Sequence, residues 1–203
     1  VSTSGMVGGT ILIPREGYFL WRKTMEHRFS RTEMVVGSTN LQRLANTTVA
    51  VVGIGGVGGY VVESLARSGI GSLILIDHDQ VHLTNLNRQI IALAERIRQI
   101  NPNCQVQTFA QFYQASTHEA LFSPRVDYVA DAIDSVGPKV SLIERCLQED
   151  IPIISSLGTG NKLDPTRLTI TDIAKTHTCP LARAVRVSLR KRGIESGLPV
   201  VFS

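Results

Sequence analysis

The chain has 203 residues, of which 43% are hydrophobic and 19% charged, a composition typical of one globular domain and not of a disordered segment. Cys104, Cys146 and Cys179 form no C-x-x-C pair, so the sequence supports neither a zinc knuckle nor a disulfide framework, and we expect a reducing compartment. The net charge is +4, and no apolar run approaches the ~20 residues of a membrane-spanning helix.

Residues 1–26 form an N-terminal extension without a clear period, and we expect a single domain over residues 27–203. The first residues, Val1 to Gly9, are small and polar and resemble a remnant of added sequence. The fold prediction therefore rests on the remainder of the chain.

A strand, a glycine-rich turn and a helix come first in the domain. Residues 48–52 are apolar and β-branched, which predicts a buried parallel strand. Residues 56–68 carry apolar side chains at helical spacing, and residues 72–76 predict a second strand that ends at Asp77.

The same alternation continues to the end of the chain. Residues 167–171 alternate apolar and polar side chains and are expected to pair antiparallel. The further predicted helices are 92–100, 139–148 and 181–192, and the further strands are 105–110, 126–130, 151–155 and 200–202. We predict an α/β fold that is Rossmann-like, with a mostly parallel central sheet and helices on both faces.

The turn after the first strand has the pattern G-x-G-x-x-G, formed by Gly53, Gly55 and Gly58. Small residues let a backbone approach phosphate closely, and the helix that follows offers free N–H groups. Asp77 stands where an acidic residue normally binds ribose hydroxyls. Alone, this pattern favours a dinucleotide-binding oxidoreductase, and a tight turn without a ligand is the simpler alternative.

The segment after Asp77 changes that interpretation. Asn85, Asn87 and Arg88 follow it, and a hydride-transfer enzyme has no use for such a cluster above a phosphate turn. A nucleotidyl-transfer enzyme does have a use for this cluster. Negative charge builds on the α-phosphate and the leaving pyrophosphate in the transition state, and fixed amide and guanidinium donors stabilise that charge.

These motifs together resemble the adenylation domain of the ThiF/MoeB, ubiquitin-activating-like superfamily. The motifs are Gly53–Gly58, Asp77–Asp79, Thr84–Gln89 and Asp131–Ser135, and the resemblance runs from about His27 to the end of the chain. Within that superfamily the chain is similar to the branch of tRNA threonylcarbamoyladenosine dehydratases. That narrower similarity rests on Arg28–Glu33, Ala94–Pro102, Gly160–Thr166, Pro180–Arg183 and Val200–Ser203.

The resemblance implies ATP and Mg²⁺ as cofactors and assigns roles to matched positions. It implies a catalytic role for Arg88, for Asp134 as the Mg²⁺ ligand, and for Arg31, which would reach into the partner subunit of a homodimer. A surface salt bridge is the alternative for Arg31. The implied ATP-binding residues are Gly53, Gly55, Gly56, Gly58, Asp77, Asp79, Asn85 and Arg88.

Basic residues crowd the segment 175–192, which we expect to form a basic C-terminal helix. Such a cluster suits a phosphate-backbone partner, and the resemblance makes that partner tRNA at its anticodon loop. A solvated helix face without a partner is the alternative. The expected tRNA-binding residues are Lys162, Lys175, Arg183, Arg186, Arg190, Lys191 and Arg192.

The implied reaction is the ATP-dependent dehydration, or cyclisation, of threonylcarbamoyladenosine in tRNA through an acyl-adenylate, with release of AMP and pyrophosphate. One alternative is adenylation of the C-terminal glycine of a ubiquitin-like sulfur carrier. An NAD-dependent oxidoreductase and a non-catalytic nucleotide-binding scaffold are the others. A sulfur-relay or cysteine desulfurase partner is a further candidate. The resemblance implies a cytoplasmic location, with a mitochondrial one as the alternative for a eukaryotic source.

One departure from the family pattern lies between Leu93 and Ala94. The family has a longer loop here, with a lysine that binds ATP phosphates, whereas in this chain Ile90 to Leu93 runs straight into Ala94. A true deletion would put ATP turnover in doubt, and we favour a lid segment missing from this sequence.

The remaining side chains that could take part in chemistry are those of the three cysteines and two of the histidines. Cys104 and Cys146 are expected in the core, and a functional thiol is considered for Cys179 near the basic helix, although the dehydratase chemistry does not require one. His118 and His177 are expected at the surface.

Overall fold

The sheet is built around β1 (Thr48–Val52), whose β-branched and apolar residues are buried from Val49 onward. The computed structural model describes residues 27–78, 90–123, 125–159 and 164–203. Within these ranges, seven strands form one sheet in the order β3-β2-β1-β4-β5-β7-β6. The other strands are β2 (Ser72–Asp77), β3 (Gln105–Ala110), β4 (Tyr128–Asp131), β5 (Ile153–Ser156), β6 (Thr169–Asp172) and β7 (Pro199–Phe202).

All neighbouring strands run parallel except β6, which pairs antiparallel with β7 at one edge. Val52 of β1 lies opposite Ile76 of β2 and Asp131 of β4. The carboxyl ends of these three strands therefore open at the same edge of the sheet. The predicted mostly parallel sheet, with its antiparallel partner strand, is confirmed.

Helices cover both faces of the sheet, as predicted, because side chains alternate along each strand. On one face, Val49 and Val51 join the buried side chains of α3 (Gly58–Ser68) and α4 (Ile90–Ile100). On the other face, the buried cluster contains Ala50 and Val52. It also contains side chains from α6 (Val136–Gln148) and α7 (Pro180–Arg190).

Two helices precede β1, and the sequence patterns did not predict them. They are α1 (Ser30–Val36) and α2 (Ser38–Ala45), and neither contains a fully buried residue. Gly37 separates them with a φ of 82°, a left-handed value that lets the chain change direction. A short helix, α5 (His118–Leu121), lies between β3 and β4.

Each of the four predicted helices begins one to three residues away from its predicted first residue. α6 begins at Val136, earlier than expected, and Gly137 and Pro138 fall in its first turn. Backbone N–H groups of the first turn have no acceptor within the helix, so the N–H that proline lacks costs no hydrogen bond there. α4 runs unbroken through Leu93 and Ala94, so this chain has a continuous helix where the family pattern places a loop.

The structure corrects the surface interpretation of His118, whose side chain is 1% exposed. Its ring is held by hydrogen bonds to Tyr113 Oη (2.9 Å) and Glu149 Oε2 (3.1 Å) and stacks on Phe122 at 4.4 Å. Both polar ring nitrogens are therefore satisfied in the interior, which removes the cost of burying them. His177 is exposed, as expected.

The three cysteines are free and buried. Burial raises the pKa of the Cys104 thiol to about 11 and that of the Cys146 thiol to about 12, so both are inert core side chains. Their predicted core positions are confirmed. Among the described helices, none is long and apolar enough to cross a membrane.

Candidate active-site cleft

A cleft of about 310 Å³ opens at the carboxyl ends of β1, β2, β4 and β5. The strand order reverses at β1, because β2 lies on one side of it and β4 on the other, and parallel sheets bind ligands at such a switch point. The lining comprises Val52, Gly53, Gly55, Gly56, Val57, Ile76, Asp77, His78, Gln111, Phe112, Tyr113, Ala132, Ile133, Asp134, Ser135, Pro138, Ser156, Leu157, Thr159 and Leu181.

Gly53 and Gly58 are required by packing within the protein. Gly53 has a φ of 88°, and a Cβ there would lie 2.7 Å from the carbonyl oxygen of Ala132. A Cβ on Gly58 would lie 1.8 Å from the carbonyl oxygen of Gly53. These two glycines let the turn fold closely against β4 and let α3 start directly behind it.

Gly55 and Gly56 have a different environment. A Cβ on either residue would meet no atom within 4 Å, and both residues line the cleft. Beside them α3 begins at Gly58, and no side chain caps its first turn. The first amides of a helix lack partners within the helix and carry a partial positive charge. An open backbone surface next to such a helix end is suited to binding phosphate.

Asp77 closes one side of the turn. Its carboxylate accepts a hydrogen bond from the backbone N–H of Ile54, and its Oδ1 lies 3.6 Å from His78 Nδ1. The ring of His78 packs edge-on against Phe112 with the ring centroids 4.8 Å apart. Asp77 therefore shapes the glycine turn from its predicted position at the end of β2, while facing the cleft.

Asp134 lies across the cleft from Asp77, in the loop between β4 and α6. Its side chain is exposed, and its Oδ1 accepts a hydrogen bond from Ser135 Oγ (3.2 Å). Carboxylate oxygen suits Mg²⁺, which is usually held by one or two carboxylates together with substrate phosphates. Among the described residues, no group of three or more metal-binding side chains occurs. The exposed Asp134 carboxylate at the cleft therefore has the chemistry to hold Mg²⁺ together with substrate phosphates.

A buried polar cluster under the cleft was missed by the sequence analysis. Lys139 and Asp131 form an ion pair of 2.6 Å, with both side chains 0% exposed. Ser155 hydrogen-bonds to both of them. The signal was present in the sequence, since a polar residue ends or nearly ends each of the adjacent buried strands β4 and β5.

Arg31 is not part of the cleft lining. It is exposed on α1, on the same short helix as Met34 and Val35, whose side chains are 52% and 85% exposed. Within one subunit, Arg31 and the described cleft are therefore separate. The predicted site residues Asp79, Asn85, Arg88 and Lys162 lie outside the described residues.

The predicted basic residues fall into two groups. Lys175, Arg183, Arg190 and Lys191 are exposed. Arg186 Nη1 instead donates to the carbonyl oxygen of Thr176 (2.8 Å) and also to its hydroxyl. Arg192 forms an ion pair with Glu144. Arg186 thus joins α7 to Thr176, and Arg192, which is itself exposed and lies two residues beyond α7, is joined to α6.

The first turn of α7 touches the cleft. Leu181 is part of the cleft lining, and the buried Cys179 caps the helix by accepting a hydrogen bond from the backbone N–H of Ala182 (3.3 Å). The exposed Arg183 follows Leu181 by two positions. Residues two apart on a helix do not share a face, so Arg183 lies near the cleft end of α7 but on a different side of the helix from Leu181.

The comparison with known proteins agrees with this geometry. The ThiF family model matches residues 29–197. The tRNA threonylcarbamoyladenosine dehydratase of Bacillus subtilis (strain 168) is 48% identical over 191 residues, which are 88% of this chain and 75% of that protein. The enzyme of the same name from Escherichia coli (strain K12) is 44% identical over 182 residues, 84% of this chain and 66% of that protein.

Solved structures of the E. coli dehydratase are also similar to this chain. The crystal structure of E. coli tRNA N6-threonylcarbamoyladenosine dehydratase, TcdA, in complex with ATP matches with a TM-score of 0.80 at 41% identity, covering 91% of this chain and 82% of that one. The AMP complex of the E. coli protein also has a TM-score of 0.80, at 39% identity, with 96% of this chain and 83% of that chain covered.

Proposed function

This chain belongs to the ThiF family, and from that premise we propose that it uses ATP to activate the carboxylate of threonylcarbamoyladenosine in tRNA and then closes that group into a ring. The observation that carries the proposal is the open backbone of Gly55 and Gly56 beside the uncapped start of α3, between Asp77 and Asp134. The names of the bacterial relatives and the ATP and AMP bound in solved structures of the E. coli protein support it.

The reaction begins when a carboxylate oxygen of the substrate attacks the α-phosphorus of ATP. The bond to the bridging oxygen breaks, pyrophosphate leaves, and an acyl-adenylate forms. An internal nitrogen or oxygen then attacks the acyl carbon, its proton passes to solvent, and AMP leaves with one of the original carboxylate oxygens. Adenylation is needed because a free carboxylate is a poor electrophile at neutral pH.

The residues of the cleft contribute positioning and electrostatic stabilisation. The glycine turn and the start of α3 would hold phosphate oxygens, and Asp77 would hold the ribose. Asn85 and Arg88 retain their proposed contacts to the triphosphate. When bound, Mg²⁺ would neutralise phosphate charge, and Asp134 is the exposed cleft carboxylate that would hold it.

The exposed basic side chains of α7 would hold tRNA phosphates. Arg183 and Arg190 lie two turns apart on one side of the helix, and the first turn of the same helix reaches the cleft through Leu181 on another side. The proposal places the backbone that flanks the bound nucleoside along this exposed basic face. We assign Lys175 and Lys191 to the same surface.

A homodimer with Arg31 reaching into the neighbouring subunit is part of the proposal. The exposed Met34 and Val35 on α1 support it, because they place apolar surface beside an arginine that lies away from the cleft of its own subunit. A sulfur-relay or cysteine desulfurase partner also remains a proposal, which co-purification with the full chain would test.

Mass spectrometry of anticodon-loop nucleosides tests the proposed reaction. The full chain is incubated with Mg²⁺, ATP and threonylcarbamoylated tRNA, and we expect the nucleoside mass to fall by the mass of one water while pyrophosphate is released. Unmodified tRNA is the matched control and should release none. An unchanged nucleoside mass in the presence of bound ATP would reject the proposal.

The same assay separates the competing functions. Pyrophosphate release that requires a carrier protein ending in glycine, and not modified tRNA, would favour sulfur-carrier adenylation. This alternative has some support, since the sulfur carrier protein ThiS adenylyltransferase of E. coli is 32% identical over 154 residues. Reduced-nicotinamide absorbance without ATP consumption would favour an oxidoreductase.

A further inference from the structure

Lys139 is the largest fully buried charged side chain among the described residues, and every proton of its ammonium group has an acceptor. Its Nζ donates to Asp131 Oδ2 (2.6 Å), to Ser155 Oγ (3.1 Å) and to the carbonyl oxygen of Ser156 (2.9 Å). Ser155 Oγ also donates to Asp131 Oδ2 (2.6 Å). One lysine thus joins the ends of β4 and β5 from its place on α6.

The second oxygen of Asp131 extends this cluster to the cleft. Asp131 Oδ1 accepts a hydrogen bond from the backbone N–H of Ile133 (3.0 Å), in the loop that carries Asp134. On its other side, the loop is held by the N–H of Ala132, which donates to the carbonyl oxygen of Val52 (2.8 Å). The loop is therefore attached on one side to β1 and on the other to the Asp131–Lys139 ion pair.

Stability alone does not account for this cluster. Removing two charges from water costs several kcal/mol per ion, and replacing a buried ion pair with well-packed apolar side chains is often neutral or stabilising. What an apolar pair cannot supply is a fixed acceptor for the N–H of Ile133. Lys139 is 0% exposed, so it does not itself contact a molecule in the cleft.

We propose that Lys139 is a positioning residue that acts through Asp131 to fix the loop carrying Asp134. Lys139 holds the Asp131 carboxylate in place, that carboxylate holds the backbone of Ile133, and Asp134 is thereby presented to Mg²⁺ and the phosphates. The inference rests on the proposed function, because it assigns Asp134 the role of Mg²⁺ ligand.

Two double variants of the full chain separate positioning from packing. Lys139→Met with Asp131→Leu removes the charges and also the acceptor for Ile133, whereas Lys139→Met with Asp131→Asn removes the charges and keeps a side-chain oxygen at that place. Arg145→Met, which removes a cation from the far end of α6, is the matched control.

The measurements are the Tm, the affinity for ATP with and without Mg²⁺ by titration calorimetry, and kcat for pyrophosphate release with threonylcarbamoylated tRNA. We expect the variant with Asp131→Leu and Lys139→Met, the Leu/Met variant, to fold with a Tm within about 5 °C of the parent. Its kcat should fall about 100-fold, the effect of a displacement of about 1 Å at a reacting group, with a much smaller change in KM.

The gain in ATP affinity on adding Mg²⁺ should disappear in the Leu/Met variant, while the affinity without Mg²⁺ stays at the parent value. The Asn/Met variant should recover at least about tenfold in kcat over the Leu/Met variant, because its amide oxygen can still accept from Ile133. Arg145→Met should match the parent chain in all three measurements.

A folded Leu/Met variant with parental kcat and a parental Mg²⁺ effect would overturn the inference. Should that variant not fold, Ser155→Ala takes its place, since it deletes the hydrogen bonds of Ser155 Oγ with both Asp131 Oδ2 and Lys139 Nζ and causes little loss of volume. We expect several-fold lower kcat and a smaller Mg²⁺ effect from it, and parental values would overturn the inference equally. If the parent chain releases no pyrophosphate, the proposed function fails, and the Mg²⁺-dependent ATP affinity still decides the role of Lys139.

Discussion

Glycines at neighbouring positions of the turn after β1 differ in physical role. Gly58 is close-packed against the backbone of Gly53, whereas Gly56 faces the open cleft. The sequence pattern G-x-G-x-x-G does not distinguish these environments. Substitution by alanine separates them, because the added methyl group meets protein at one position and a bound ligand at the other.

We expect Gly56→Ala to fold with a Tm close to that of the parent chain and to bind ATP at least about tenfold more weakly, because its methyl group would occupy the proposed place of phosphate. Gly58→Ala should instead lose roughly 1–3 kcal/mol or more of unfolding free energy, because its Cβ overlaps a backbone carbonyl. Thermal unfolding and ATP titration of both variants check this, and the reverse pattern would refute the assignment.

Asp134 is exposed and makes one hydrogen bond, with the neighbouring Ser135, among the contacts of the described residues. Asp134→Ala should therefore leave the Tm nearly unchanged and lower the rate of pyrophosphate release by at least about 100-fold, the effect of removing one group that stabilises transition-state charge. Glu195→Ala, another exposed acidic residue, is the control. Near-parental turnover in the Asp134 variant would remove this residue from the mechanism.

Among the helices, α7 illustrates how one element carries both packing and charge. Ala182, Val185 and Leu189 are buried on one side, and Arg183 and Arg190 are exposed on the other. The sequence analysis treated all arginines of this segment as equal. The structure separates them, since Arg186 holds Thr176 and Arg192 pairs with Glu144.

The triple variant Arg183→Ala, Arg190→Ala, Lys191→Ala should bind tRNA more weakly without losing stability. If each side chain contacts one phosphate, the slope of log K against log salt concentration should become shallower by roughly two to three. Arg186→Ala should show the opposite behaviour, with a lower Tm and a nearly unchanged salt slope. Filter binding over a salt series, with thermal unfolding, measures both, and equal salt slopes for the parent and the triple variant would exclude this face as the tRNA site.

At the scale of the whole molecule, Arg31 lies outside the lining of the cleft, so its proposed catalytic role requires a second subunit. If Arg31 acts in a neighbouring subunit, Arg31→Ala and Asp134→Ala chains should each be inactive alone. After mixing and exchange of subunits, about a quarter of parental activity should return, because half of the dimers are mixed and one of their two sites is intact. Light scattering should report a dimer.

A mixture that stays inactive although the subunits have exchanged would show that Arg31 acts within its own chain or has no catalytic role. Subunit exchange itself can be followed with differently tagged chains. The parent chain mixed with Asp134→Ala serves as the reference for the activity of mixed dimers.

The sequence by itself determined the order of the strands and of the four helices that cover the sheet, and the place of the glycine turn. The alternation of apolar runs and amphipathic segments depends on local periodicity, and the runs at β1 and β3 matched the structure residue for residue. Asp77 was recognisable for the same reason, since it ends an apolar strand, whereas Asp134 was identified through the resemblance to the ThiF/MoeB superfamily.

Only the tertiary structure decided which polar side chains form hydrogen bonds or ion pairs within the protein and which remain available to a ligand. The buried His118, the Lys139–Asp131–Ser155 cluster and the engaged Arg186 involve partners that are distant in sequence or on another element. Local sequence can mark a polar residue at the end of a buried strand but does not identify its partner, because a hydrogen bond between two strands or a helix and a loop exists only after the sheet has formed. Whether a polar residue has a structural or a functional role therefore depends on the packing of the whole molecule.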